Sequence, residues 1–344
     1  MKKIRKILFV SQGLVDESGA LQQALSLARN HHASLRVLLV LPQFPPALAA
    51  YRERFETLQR ERFDAELTEA RAVVGLPDAG PPVAVIVQQV DVLAVRIVQH
   101  LLKNGDDLLI KAAEPGNGHR AISAVDLDLL RLAPVPVWLA RPIERHRGEI
   151  RVAVAIDPLR FEPPARSLSS HLLPIDRDQG GLRVVVAIDP LDSVSAARGL
   201  SLRLLREARE LADTASGELG VISCWDYAYE KYLRHNVWIR MSDREIDDEV
   251  MKIEGEHRAA LEALIKESGI GGKLRVLRAR GEPAERIPDY VSTHGVDVLV
   301  LGTVARTGIQ GFLMGNTAER ILQSLTCSLV AFKPEGFVSP VRVD

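Results

Sequence analysis

The sequence predicts an α/β protein built as two tandem doubly wound domains, each on a five-stranded parallel sheet. Three observations carry this expectation. Short apolar runs alternate with amphipathic stretches along the chain, which is the signature of strands joined by crossover helices. The alternation runs through once and then starts again. Ile97 to Ile110 also lies against Ile287 to Val300 without a gap, pairing Gly105 with Gly295, Asp107 with Asp297 and Leu109 with Leu299. Repetition of one βα pattern points to two copies of one unit.

Composition sets the bounds. At 344 residues the chain exceeds a single ordinary core, so two domains are expected. Apolar residues make up 47% and charged residues 26%, the balance of a soluble globular protein. A formal net charge of −1 with scattered lysine and arginine gives no electrostatic footprint for nucleic acid. No apolar run approaches the roughly 20 residues that span a bilayer. Ile7 to Val10 is too short for the apolar core of a signal peptide. Cys224 and Cys327 are the only cysteines, which argues against a disulfide framework and for a reducing cytoplasm. The nine histidines show no ligand spacing, and no metal site is expected.

The elements follow in order. Ile4 to Val10 is a short apolar strand, Ala20 to Ala28 has helical apolar spacing, and Leu35 to Leu41 is a second strand. Leu48 to Val74 reads as a long polar helix stopped by Gly75-Leu-Pro77. Val83 to Val87, the helix Val92 to Leu102, the strand Asp107 to Lys111, the helix Ala121 to Leu132 and the strand Val135 to Ala140 complete the first pattern. Pro136 inside that strand points to an edge or to pairing on one side only. In the second pattern, strands at Arg183 to Ile188, Gly220 to Cys224, Leu274 to Ala279, Val296 to Leu301 and Ser328 to Phe332 alternate with four helices. These run over Ala196 to Ala212, Ile246 to Ile265, Pro283 to Val291 and Thr317 to Leu325. The boundaries expected are 1–147 for the first domain, 148–182 for a junction, and 183–344 for the second domain.

The junction carries a closer repeat. Arg151 to Leu159 recurs as Arg183 to Leu191, differing only at Ala153 against Val185. A single first strand is needed in the second sheet. The later copy is chosen because an amphipathic helix follows it at once. The sequence leaves open whether Val152 to Ile156 pairs with a sheet edge.

The stretch with chemical content runs from Gly302 to Glu319. It follows a buried strand, bears glycines at 302, 308, 311 and 315, and leads into a helix, with Asn316 as candidate N-cap and Glu319 three residues on. Glycines let successive backbone N–H groups converge, and a helix N-terminus adds partial positive charge. Strand, glycine loop and helix together make a phosphate cradle; a plain β-to-α connection is the competing reading.

With these residues in place, the chain resembles the universal stress protein family, in its tandem two-domain form. The resemblance rests on Val300-Leu-Gly-Thr-Val-Ala-Arg-Thr-Gly308 through Gly315-Asn-Thr-Ala-Glu319, then Cys327 and Lys333-Pro-Glu-Gly-Phe-Val-Ser-Pro340. Ile110-Lys111, Leu129-Leu-Arg131 and Pro136-Val-Trp138 resemble a degenerate first domain of the same type. The resemblance implies the fold of the adenine nucleotide alpha hydrolase-like superfamily, shared with ATP pyrophosphatases and electron-transfer flavoproteins. It also implies ATP, with Mg²⁺, or a related nucleotide as ligand, and a role in stress regulation without strong catalysis.

The nucleotide-binding form of the loop is Gly-x2-Gly-x9-Gly-(Ser/Thr). Carried over, Gly302 fills the first glycine, Ala305 stands at the second, Gly315 is the third, and Asn316 replaces the hydroxyl residue with Thr317 next. Asp189 takes the place of an aspartate near the nucleoside, Ser223 that of a strand offering backbone groups to the base, and Arg306 can neutralise a phosphate. A Cβ at Ala305 costs on the order of 1 kcal/mol if the position needs positive φ, and about 1.4 kcal/mol is tenfold in affinity. In the first domain Gln12 replaces the aspartate, and the loop Ala112 to Ser123 lacks spaced glycines and carries Glu114, whose charge repels phosphate. Nucleotide is therefore expected in the second domain only.

The resemblance further implies pairing through the last strand about a two-fold axis. Val135 to Ala140 and Ser328 to Phe332 can do this within one chain, as an intramolecular pseudo-dimer, and a homodimer is compatible with it. The competing function is a scaffold that holds no nucleotide, or holds a small apolar ligand in the same crevice.

Overall fold

The fold was read from a computed structural model of the chain. It describes residues 4–13, 15–76, 83–90, 92–114, 122–142, 152–155, 183–187, 195–215, 217–236, 241–303 and 314–343, with backbone alone at 88–90, 152–155, 183–187 and 195–197. In chain order the elements are β1 (Lys6–Ser11), α1 (Ser18–His31), β2 (Ser34–Pro42), a 3₁₀ turn (Pro46–Tyr51), α2 (Arg52–Val74), β3 (Val83–Val90), α3 (Leu93–Asn104), β4 (Leu108–Ala112), α4 (Ala124–Leu132) and β5 (Val137–Ala140). There follow β6 (Val152–Ala155), β7 (Arg183–Ala187), α5 (Ser195–Thr214), β8 (Glu218–Trp225), α6 (Glu230–His235), α7 (Asp243–Ser268), β9 (Leu274–Arg280), α8 (Pro283–Thr293), β10 (Val298–Gly302), α9 (Asn316–Gln323) and β11 (Ser328–Phe332). Among the described residues strands and helices alternate as periodicity predicts, except where β5, β6 and β7 follow one another and where α6 precedes α7.

The chain divides into two compact units. The first comprises Met1–Glu144, Thr303–Met314 and Thr326–Asp344; the second comprises Arg145–Gly302 and Gly315–Leu325. The last strand of the second sequence pattern, β11, thus belongs to the first unit.

In the first unit the strand order is β3-β2-β1-β4-β5-β11. Neighbours from β3 to β5 are parallel, and β11 joins β5 antiparallel with Val330 opposite Trp138. Central strands with helices on their faces must be apolar along their length rather than alternating. Phe9, Leu8, Leu109 and Ile110 are accordingly all solvent-free. Helix α1 covers the sheet with Leu21, Ala24, Leu25 and Ala28, and α3 with Ile97, Val98 and Leu101, the spacing of one helix face. Each such Leu or Ile contributes about 1.5–3 kcal/mol by leaving water.

Two expectations are corrected here. Pro136 does not mark an edge, because β5 is bonded on both sides. It stands one residue before the strand, so its missing N–H removes no ladder bond, while its carbonyl accepts from Leu109 N at 3.0 Å. The helix expected over Ala121 to Leu132 starts at Ala124, because Ser123 caps it by accepting Asp126 N at 3.1 Å.

The glycines paired by the internal repeat do the same work in each copy. Gly105 closes α3 at φ +63° and Gly295 follows α8 at φ +54°, both in the left-handed region where a Cβ is costly. The paired aspartate explains itself too: Asp107 Oδ2 accepts the backbone N–H groups of Arg5 and Lys6 at 2.9 and 3.1 Å, tying β1 to the start of β4.

In the second unit β8 is central, bonded to β9 along seven positions and to β7 along five, all parallel. Strand β10 bonds to β6, with Val298 opposite Val152 and Leu301 opposite Ala155, and β6 meets β8 at Val154 opposite Val221. The question that the sequence left open is answered here: the first copy of the duplicated sequence is also a strand, paired with β10 and meeting β8. An amphipathic helix downstream identified the second copy, but it says nothing about whether the first can satisfy β10. Helix α7 begins three residues before the expected start because Ser242 and Glu245 close a reciprocal capping box, with Ser242 N donating to Glu245 Oε2 at 2.7 Å.

Candidate functional site

In an open parallel sheet, ligands bind at the C-terminal ends of the strands, where the connections diverge to opposite faces. Each unit has such an end, and the two are built very differently.

In the first unit the position is filled by the chain's own charges. Lys111, the fourth residue of β4, is buried to 1% exposure at a place where an apolar run would otherwise continue. Its Nζ lies 2.5 Å from Glu114 Oε1 and 3.0 Å from Asp126 Oδ1, and it donates to the Ala112 carbonyl at 3.1 Å. Gln12 Nε2 donates to the same Glu114 oxygen. Glu114 N donates to Asp126 Oδ2 at 2.9 Å, and Asp126 sits fully buried in the first turn of α4. Close by, Glu17 accepts the N–H groups of Gln12 and Gly13 at 2.9 and 3.3 Å. Burial pushes its carboxyl above the ordinary range, against those bonds and one from Ser11. One lysine thus answers two carboxylates at the strand end where an open parallel sheet takes its ligands. Glu114 is not merely repulsive, as its charge alone suggests; it is the internal anion that holds this end closed.

The second unit carries no such cluster at the matching positions. By the internal repeat, Lys111 corresponds to Leu301, Ala112 to Gly302, Ser123 to Gly315 and Asp126 to Ala318. Leu301 and Ala318 are buried and uncharged. Gly302 ends β10 where a Cβ would come within 2.8 Å of Leu200 Cδ2, so α5 packs against the bare backbone.

The helix that follows the loop starts differently from the expectation. Gly315, not Asn316, is the N-cap of α9, at φ −60° and ψ 137°, and as a glycine it brings no capping side chain of its own. Asn316 is the first helical residue, so its amide oxygen does not take the first-turn N–H groups that an anion would use. Thr317 is buried in the second helical position and Glu319 N bonds back to Gly315 O at 3.0 Å.

Of the residues expected at the site, Gly302, Gly315, Asn316 and Thr317 belong to this one unit. Ser223 lies on β8, but its hydroxyl is committed to the interior, 2.8 Å from His257 Nε2 on α7, and its backbone sits in the ladder opposite Arg278. Asp189, Ala305 and Arg306 lie outside the described residues. Trp225, at the end of β8, packs under the guanidinium of Arg280, 5.3 Å from the ring centre. Cys224 and Cys327 are both buried. No group of three or more potential metal ligands occurs among the described residues, and no helix among them is long and apolar enough to cross a membrane.

A tandem α/β chain whose two strand ends are built differently defines a class: a doubly wound parallel-sheet protein with two unequal units. Comparison with known proteins gives the family. The universal stress protein family model matches residues 3–141 and 182–333, and the chain belongs to that family of stress-response proteins, in its tandem form. It is 27% identical to universal stress protein E of Escherichia coli K12 over 253 residues, 72% of this chain and 67% of the relative. It is 38% identical to the universal stress protein E homolog of Haemophilus influenzae over 82 residues, 24% of this chain and 26% of that one. Among solved structures, a putative universal stress protein from Pseudomonas aeruginosa UCBPP-PA14 superposes with a TM-score of 0.62 at 23% identity, covering 97% and 95% of the two chains. One from Archaeoglobus fulgidus gives 0.58 at 14% identity, covering 97% and 99%. These two likenesses establish the fold.

Proposed function

We propose that this protein is a cytoplasmic stress-response regulator that binds ATP or a related nucleotide, with Mg²⁺, in its second unit alone, and does not turn it over rapidly. The observation that supports this reading is the contrast between the two strand ends. The first is closed by Lys111, Glu114 and Asp126. The second has no such charges at the matching positions and leads into a helix whose N-cap, Gly315, brings no side chain of its own. Anion binding needs N–H groups left to a ligand, and the first turn of α9 is where the second end would supply them.

In this reading the amides of the α9 first turn and the backbone around Gly302 hold phosphate oxygens, and Arg306 offsets their charge. Regulation follows from ligand state: a nucleotide bound to one unit stabilises that unit's fold by an amount that grows with the logarithm of its concentration over Kd.

The test uses the full chain. Purified protein is denatured and the released small molecules are identified by mass spectrometry, and titration calorimetry is run with ATP and Mg²⁺. Adenine nucleotide release or a binding isotherm is expected, and Gly315→Val is expected to remove it. Absence of both nucleotide and heat in the wild-type chain would sink this reading and favour a scaffold or an apolar ligand.

A further inference from the structure

The duplicated sequence at the junction is longer than a strand. With an offset of 32 residues, Arg151–Leu173 and Arg183–Leu205 are identical at 14 of 23 positions, and the identities continue past the strand as Ala165, Arg166, Leu168, Ser169, Leu172 and Leu173. Their counterparts in the second copy are Ala197, Arg198, Leu200, Ser201, Leu204 and Leu205 of α5. Several of these are the residues with which α5 packs. Ser201, Leu204 and Leu205 are buried, and the side chain of Leu200 fills the space that a Cβ on Gly302 would need. What is duplicated is therefore a strand together with the core-facing positions of the helix after it.

The backbone shows what the two strands compete for. Strand β8 has two edges. One is taken by β9, with Val221 opposite Val276. That leaves one edge, yet Val221 is opposite both Val186 of β7 and Val154 of β6. Val154 and Val186 are the same position of the repeat. In the first unit a single strand, β1, bonds to both β2 and β4. In the second unit that role is split, with β6 on β10 and β7 on β8. One edge of one residue cannot carry two ladders at once.

We infer that the two copies are alternative occupants of a single strand position in the second unit, so that the chain can exchange one strand for its duplicate ahead of α5. Register strengthens this: identical spacing means that exchange leaves every side chain on its proper face. Each copy also carries its own Asp-Pro-Leu after the strand, as Asp157-Pro-Leu159 and Asp189-Pro-Leu191.

The states differ in the connection to α5. From β7 it is seven residues, 188–194, and from β6 it is 39 residues, 156–194. Loop-closure entropy alone favours the shorter connection by roughly tenfold. That ratio leaves the longer one populated and open to any partner that prefers it. The exchange needs no nucleotide.

Proline substitution in each copy tests this in the full chain. Val154→Pro is expected to leave the urea midpoint of the second unit unchanged. Val186→Pro is expected to lower its folding equilibrium only by roughly tenfold, because the first copy takes over. The double variant is expected to unfold the unit. Hydrogen exchange read on folded protein gives a second measure. Amides of Val184–Ala187 should gain at least about tenfold protection in Val154→Pro, and those of Ala153–Ala155 should gain protection in Val186→Pro. If either single substitution unfolds the unit as fully as the double, or the double leaves it folded, the exchange does not occur. The same conclusion follows if protection of one copy ignores the other.

Discussion

Lys111 and Asp126 form an ion pair from which solvent is absent: Nζ and Oδ1 are 3.0 Å apart, with side chains 2% and 0% exposed. Together with Glu114 this pair closes the strand end of the first unit. A buried charge left without its partner is far costlier than the pair is stabilising. Lys111→Ala should therefore destabilise the protein by about 3–5 kcal/mol. Replacing all three charges with apolar residues, Lys111→Leu with Glu114→Leu and Asp126→Ala, should cost much less, as the second unit manages with Leu301 and Ala318. Urea unfolding of both variants measures this. A triple variant as unstable as the single one would show that the cluster does more than fill the space.

Lys333 follows β11 and supplies a pH dependence. Its Nζ donates to the Arg131 carbonyl at 3.2 Å and faces the Phe337 ring at 4.7 Å. Burial, with Arg131 nearby, lowers its pKa to about 7. The unfolded chain holds this proton up to the ordinary lysine range, so between about pH 7 and 10 the unfolded state binds more protons than the folded one. Stability from this group therefore rises with pH across that window. Lys333→Met should flatten the rise, measured as urea midpoints at about pH 7 and 9.5 for both proteins.

Gly302 and Leu200 are coupled by contact, since a Cβ at 302 would sit 2.8 Å from Leu200 Cδ2. Gly302→Ala should cost about 1–3 kcal/mol by overpacking. Leu200→Ala on its own opens a cavity, and combined with Gly302→Ala it should cost less than the sum of the two. An additive double-mutant cycle would show that the methyl is accommodated elsewhere.

Ser242 tests the cap of the longest helix among the described residues. Its hydroxyl accepts Glu245 N at 3.3 Å while Glu245 answers the Ser242 N–H. These bonds hold the Glu245 carboxyl below the ordinary range, so this contribution is present near neutrality and fades as pH falls through that lowered pKa. Ser242→Ala should lower stability by about 1 kcal/mol. Thermal melts at pH 7 check it, and an unchanged Tm would mean that the helix start frays in the native protein.

The βα alternation was legible because buried parallel strands and amphipathic helices leave different periodicities, and the repeat located Gly105 with Gly295 and Asp107 with Asp297. The site was less legible. A lysine in the run Leu108-Leu-Ile-Lys111 is the one local signal for the closed first end, but its two carboxylate partners stand three and fifteen residues away. Asn316 outranks Gly315 as a cap on propensity, and only backbone angles show that the glycine takes the position. Ser223 was matched for the backbone groups of its strand, and the pairing of its hydroxyl with His257, 34 residues on, has no local signal.

The sequence by itself determined the fold class, the tandem repeat and the family, because periodicity, spacing and motif are properties of the chain alone. Tertiary structure decided three things: that the first strand end is closed by its own ion pairs, that β5 is bonded on both sides, and that both duplicated segments are strands beside β8. Each depends on which groups meet across long separations, and identical segments carry identical propensities. Only the hydrogen bonds available on β8 and β10 distinguish where each copy is placed.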